Sequence, residues 1–163
     1  MPTPTFEPIA TATANGSQTL ISFTGLGGYK HLIVECVFGT AGGGGALFTL
    51  NGTNVNSIRH DMLYCWSGGS APNEGIYDAT GYTYTNPGGN QAANAMGMLR
   101  IVIPNANAST YKPYYVESVW ETNFNIAYGC GTLHDTNAIT QLAIQCGAVY
   151  TSGSRFTVFG LAG

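Results

Sequence analysis

Two His-Asp pairs, His60-Asp61 and His134-Asp135, have the residue types of a proton-relay couple. Adjacent residues on a strand point to opposite faces, however, so neither pair can hydrogen-bond as a couple unless its strand is bulged. Glu117 and Glu121 share a strand face. At about 3.3 Å per residue they stand roughly 13 Å apart, beyond the reach of a glycosidase carboxylate pair. His31 and Glu35 share a face at a similar separation, and a surface or interface pair accounts for them better than metal ligation. Ser67-Gly68-Gly69-Ser70 lacks the strand-to-helix frame of a nucleophile elbow. The Gly42 to Gly45 run lacks the Lys-Ser/Thr and the following helix of a phosphate loop. No catalytic residue, cofactor or metal is therefore assigned, and the chain is read as a non-enzyme.

The four cysteines, Cys36, Cys65, Cys130 and Cys146, have none of the short spacings of a zinc or redox motif and read as buried thiols. Cys130 and Cys146 fall in consecutive candidate strands, so they could pair in an oxidising exterior if they face each other.

The elements that must carry these residues are strands. Tyr29 to Gly52 is the best specified stretch. Leu32, Val34, Cys36 and Phe38 alternate with His31, Ile33, Glu35 and Val37. A glycine connection leads to a second apolar segment at Leu47-Phe48, which Asn51-Gly52 closes as a turn. Before it, Ile9–Thr13 and Gln18–Phe23 read as a hairpin around Asn15-Gly16. After it come strands at 57–66, 98–103, 112–121, 126–133, 138–146 and 155–161. Tyr114, Val116, Ser118 and Trp120 form the expected core face of the 112–121 strand, and Leu142, Ile144 and Cys146 that of the 138–146 strand. No stretch carries a capped helical stripe. The fold class is all-β: an antiparallel two-sheet β-sandwich, jelly-roll-like, with about ten strands. Residues 1–8, with Pro2, Pro4 and Pro8, read as an extended arm, and 9–163 as one β-sandwich domain.

One long loop region, Ser67 to Asn94, is rich in Gly, Asn, Thr and Tyr. Loops of that length are commonly functional. The candidate protein or glycan contacts are thus Thr3, Pro4, Thr5 and Phe6 on the arm, Trp66 at the loop's entry, and Tyr77, Tyr82 and Tyr84 within it.

Only 8% of the 163 residues are charged, for a net charge of −3, while 44% are hydrophobic. With no basic cluster, nucleic acid is not an expected partner. A surface with so little charge suits lasting protein contacts, since little must be desolvated when surfaces meet. No run is long enough for a membrane-spanning helix, and the start lacks the basic and apolar regions of a secretory signal. Membrane insertion is not expected, and the expected place of synthesis and assembly is a cytoplasm. Asn-x-Ser/Thr patterns at Asn15, Asn51 and Asn107 read as loop chemistry.

Three separated segments, FEPIATAT, then FTGLGGYKHLIVE with FTLNG, and finally AITQLAI with GSRFTVFGL, resemble in order and spacing a family of small tailed-phage virion proteins. The family patterns are Y-x-P-I-A-T, F-x-x-I-P-x-x-Y-x-H-L, F-N-G and G-S-x-F-x-L-Y-G. Here Gly27-Gly28 stands where Pro is common, and Phe159 replaces Tyr, both keeping turn and strand chemistry. The resemblance implies a β-sandwich exposed on the virion, of tail-fibre, receptor-binding or head-decoration type, without an agreed catalytic site. The expected function is a structural protein that decorates or cements the capsid or another part of the particle. The alternative is the receptor-binding tip of a tail or head fibre, recognising a host-surface glycan or protein. The expected partners are other virion proteins and further copies of the chain, a trimer being favoured.

Overall fold

The computed structural model describes residues 5–42, 46–52, 58–65, 73–79, 83–84, 95–121 and 125–162. Twelve strands lie among the described residues: β1 (Glu7–Thr13), β2 (Leu20–Thr24), β3 (Tyr29–Gly39), β4 (Ala46–Leu50), β5 (Ile58–Cys65), β6 (Asn73–Ala79), β7 (Thr83–Tyr84), β8 (Met96–Ile103), β9 (Lys112–Trp120), β10 (Asn125–Leu133), β11 (Gln141–Cys146) and β12 (Arg155–Ala162). They form an eight-stranded sheet, β1-β12-β3-β8-β9-β10-β5-β6, and a four-stranded sheet, β2-β11-β4-β7. Every pairing is antiparallel. The two-sheet β-sandwich expected from the alternation is what the chain adopts.

Alternation decides the core. Leu32, Val34, Cys36 and Phe38 of β3 are buried, as are Tyr114, Val116, Ser118 and Trp120 of β9. From the smaller sheet Ile21, Phe23, Phe48, Leu50, Leu142 and Ile144 join the same hydrophobic cluster. Phe48 meets Tyr114 edge-on at 5.3 Å, an aromatic contact that ties the sheets together. At one end Phe38 is surrounded by Trp120, Tyr150 and Phe156, with ring centroids 4.8, 5.4 and 5.7 Å away.

Several local expectations are corrected. The arm does not run to residue 8: Glu7 and Pro8 already pair with Gly160 and Phe159, and a register shift separates Pro8 from Ala10. An edge strand tolerates that proline because one side of its ladder is open. Ile9–Thr13 and Gln18–Phe23 do not form a hairpin. The Asn15-Gly16 turn forms, with Gly16 at φ +90°, but it carries the chain from one sheet to the other. Ala14 is instead tied to the start of β12, donating its N–H to the Ser154 carbonyl at 2.8 Å and accepting from Gly153 at 2.9 Å. The Ser67–Asn94 region is not wholly loop, since β6 and β7 lie within it. The strand expected from Ala138 starts at Gln141, because the Asn51 carboxamide holds Ala138 and Thr140 in an irregular segment ahead of it. Cys130 and Cys146 do not pair: Cys130 is exposed on β10 and Cys146 is buried on β11 of the other sheet.

Gly160 lies beneath the half-buried ring of Tyr29, where a Cβ would overlap Cδ1, Cγ and Cε1 of that ring. Gly160→Ala is expected to cost about 1–3 kcal/mol by overpacking. It should read as a lower urea midpoint at unchanged slope, since the surface exposed on unfolding stays the same.

Candidate functional site

The strands that bury one set of side chains in the sandwich turn the alternate set onto the outer face of the eight-stranded sheet. Register then sorts that face into cross-strand rows. Val37 of β3 pairs with Met98 of β8, Met98 with Val119 of β9, and Val119 with Ile126 of β10. All four side chains are exposed, Met98 at 60%. A row of large apolar groups across four adjacent strands is a continuous patch, unlike singly scattered surface hydrophobes.

The next row is charged. Glu35, Arg100, Glu117 and Tyr128 are successive register partners across β3, β8, β9 and β10. Arg100 Nε lies 3.6 Å from Glu35 Oε1, and Nη1 lies 3.8 Å from Glu117 Oε2. These contacts are long and half exposed, so each stabilises the fold little. Their value is positional, because the guanidinium keeps two carboxylates apart and upright on the sheet. The row carries a net negative charge. Arg100 Nε is shielded from solvent and has no hydrogen-bond partner among the described residues. Beyond this ladder Ile33, Val102, Tyr115 and Cys130 form a third row. Between the first two rows lies a hollow of about 360 Å³ whose walls include Glu35, Val37, Met98, Arg100, Glu117 and Val119.

On this face both carboxylates stand beside a guanidinium. The apolar row offers dispersion and desolvation to a partner, and the ladder offers acceptors of fixed spacing. Below it, burial pushes the Cys36 thiol well above its ordinary value, with Glu35 adding to the effect, so the thiol is inert.

His31 and Glu35, Glu117 and Glu121, and His134 and Asp135 each take other partners, while the side chains of His60 and Asp61 lie outside the described residues. His31 Nδ1 accepts the Asn105 N–H at 3.1 Å, while its strand-mate Glu35 faces Arg100. Glu121 Oε2 accepts the Met96 N–H at 3.2 Å, and Glu117 belongs to the ladder. His134 and Asp135 lie just past the end of β10, so strand alternation does not separate them. They take different partners nonetheless. His134 stacks on Tyr111 at 4.7 Å, and Asp135 accepts from Asn51 and Asn137. Among the described residues no three His, Cys, Asp or Glu side chains converge as a metal site.

Of the candidate contacts, Thr5 and Phe6 are exposed ahead of β1, with the Phe6 ring 6.5 Å from His31. Tyr77 lies in β6, an edge strand of the larger sheet, and Tyr84 in β7, an edge strand of the smaller one. Thr3, Pro4, Trp66 and Tyr82 lie outside the described residues. The outer-face rows were missed by reading strands one at a time. Their available signal was that Met98 and Val102 flank Arg100 on the parity opposite the apolar Leu99, Ile101 and Ile103, although a strand at a solvated surface needs only one apolar face.

No family model and no curated protein sequence matches the chain. Among solved structures it is similar to a Caenorhabditis elegans galectin, at 12% identity and a TM-score of 0.40, over 94% of this chain and 96% of that one. It is also similar to an exo-inulinase from Aspergillus awamori, at 10% identity and a TM-score of 0.39, where 98% of this chain spans 30% of the other.

Proposed function

We propose that this chain is a structural protein of a tailed-phage virion, decorating or cementing the capsid or another part of the particle through the outer face of its eight-stranded sheet. The observation that carries the reading is the Val37-Met98-Val119-Ile126 row beside the Glu35-Arg100-Glu117 ladder. An exposed apolar strip of this kind favours a protein neighbour. The net negative ladder favours a neighbour that brings a basic side chain to it. The end-to-end motif series and the low charge of the sequence support the same reading, and the expected oligomer is a trimer.

Host attachment is the second reading, and Tyr128 is what favours it. This exposed ring ends the charged ladder, an arrangement able to stack on a sugar while Glu117 on the adjacent strand accepts from its hydroxyls. The test is the protein's position. A gold-labelled antibody against it should mark the surface of purified particles, and the chain should sediment with them through a density gradient. Recovery of the protein only from the soluble fraction of infected cells would defeat the proposal. Label confined to fibre tips, with a positive glycan array, would transfer it to host attachment.

A further inference from the structure

Where the two sheets meet, Lys112 is completely buried at the start of β9. A lysine is seldom buried in that way without a specific partner or task. Its Nζ donates to the backbone carbonyl of Asp135 at 2.8 Å. The Asp135 carboxylate in turn accepts from Asn51 Nδ2 at 3.3 Å, and Asn51 follows β4 of the opposite sheet. The Asn51 carboxamide is held on every side. Nδ2 also donates to the Ala138 carbonyl at 3.0 Å, and Oδ1 accepts the backbone N–H groups of Thr140 at 2.7 Å and Gln141 at 3.4 Å. The Asn51 backbone is fixed as well, at φ +55° in the left-handed region.

These groups have the parts of an acyl-transfer centre. Lys112 is the desolvated nucleophile and the Asn51 Cγ carbonyl the electrophile. The two backbone N–H groups on Oδ1 stand where an oxyanion would develop, and a carboxylate touches the leaving nitrogen. We propose that Lys112 and Asn51 condense to an intramolecular isopeptide bond, with Asp135 carrying the proton. Lys112 Nζ, as the free amine, attacks Asn51 Cγ, and the oxygen charge of the tetrahedral intermediate rests on the Thr140 and Gln141 N–H groups. Asp135 takes a proton from Nζ and returns it to Nδ2. The Cγ–Nδ2 bond breaks, the Nζ–Cγ bond remains, and ammonia leaves. Ammonium plus carboxamide thus become a secondary amide plus ammonium, with no oxidant and no change in charge.

Two directions of titration agree with this chemistry. Burial pulls the Lys112 amine below its ordinary value, against an opposing pull from Asp135, which enlarges the neutral fraction. The Asn137 backbone hydrogen bond leads a set of contacts that hold Asp135 ionised and able to accept a proton. The product would staple the smaller sheet to the larger one.

Peptide mapping by mass spectrometry of the full chain, folded before digestion, tests the proposal. The expected result is a branched peptide joining the Asn51 and Lys112 segments, lighter by one ammonia than their sum, in most of the protein. Lys112→Arg should lose it, and Asp135→Asn should slow its appearance at least tenfold. Separate peptides in the wild-type digest, with both side chains unaltered, would overturn the bond whether or not any variant folds. So would an ammonia loss that persists in Lys112→Arg and makes the chain open to hydroxylamine cleavage after residue 51, since that marks a succinimide at Asn51-Gly52. Formation at the wild-type rate in Asp135→Asn would remove Asp135 from the mechanism.

Discussion

Trp120→Ala is expected to lower the unfolding free energy by about 3–5 kcal/mol, the range for emptying a buried aromatic site. In a domain of this size that corresponds to a fall in Tm of roughly 6–20 °C. Trp120 is 1% exposed and meets Phe38 edge-on at 4.8 Å, so its removal opens the end of the core where Tyr150 and Phe156 also pack. The indole ring occupies space that the absent side chain of Gly97 leaves open. Gly97 is its direct register partner, and a Cβ there would overlap Cε3, Cζ3 and Cδ2 of the ring. Gly97→Ala alone should therefore destabilise by about 1–3 kcal/mol, yet cost much less in the Trp120→Ala background. Thermal unfolding of the four proteins in the double-mutant cycle measures that coupling. Additive losses would mean that the glycine is not there to admit the ring.

Met98→Lys combined with Val119→Lys is expected to reduce association with particles by at least tenfold while leaving the fold intact. Each lysine replaces an exposed member of the apolar row. Exposed substitutions of this kind usually change stability by no more than about 0.5 kcal/mol. Burying unpaired charge in a docked interface costs several times more, on the order of 2–5 kcal/mol, and tenfold in affinity is about 1.4 kcal/mol. The pair also reverses the net charge of the patch, which a neighbour bringing a basic side chain would oppose. Co-sedimentation of purified protein with particles, alongside an unfolding curve, separates loss of docking from loss of structure.

Those two experiments mark the boundary of what the sequence reveals. The inward set of β3, the Tyr114-Val116-Ser118-Trp120 face and the Leu142-Ile144-Cys146 face were all legible, because a single strand's alternation states which side is buried. Pairing was not legible, because it is non-local. The Asn15-Gly16 turn has hairpin chemistry, and only the pairing of β1 with β12 and of β2 with β11 shows that it crosses the sandwich. Asn73–Ala79, reading NEGIYDA, is a strand without an apolar alternation, so composition assigned it to a loop. The outer-face rows failed to emerge for the same reason as the pairing. Each contains one residue per strand, brought together only by the register of β3, β8, β9 and β10. Lys112 read as the polar start of a strand, and nothing local to it announces Asn51, which lies on the other sheet.

The central claim is that the outer face of the eight-stranded sheet is the docking surface on a virion. A cryo-electron-microscopy reconstruction of particles carrying the protein tests it most directly. The account predicts that Val37, Met98, Val119 and Ile126 are covered by a neighbouring virion subunit, with a basic side chain of that neighbour near Glu35 or Glu117. A particle in which that face is open to solvent, and the chain is held by another surface, would contradict it.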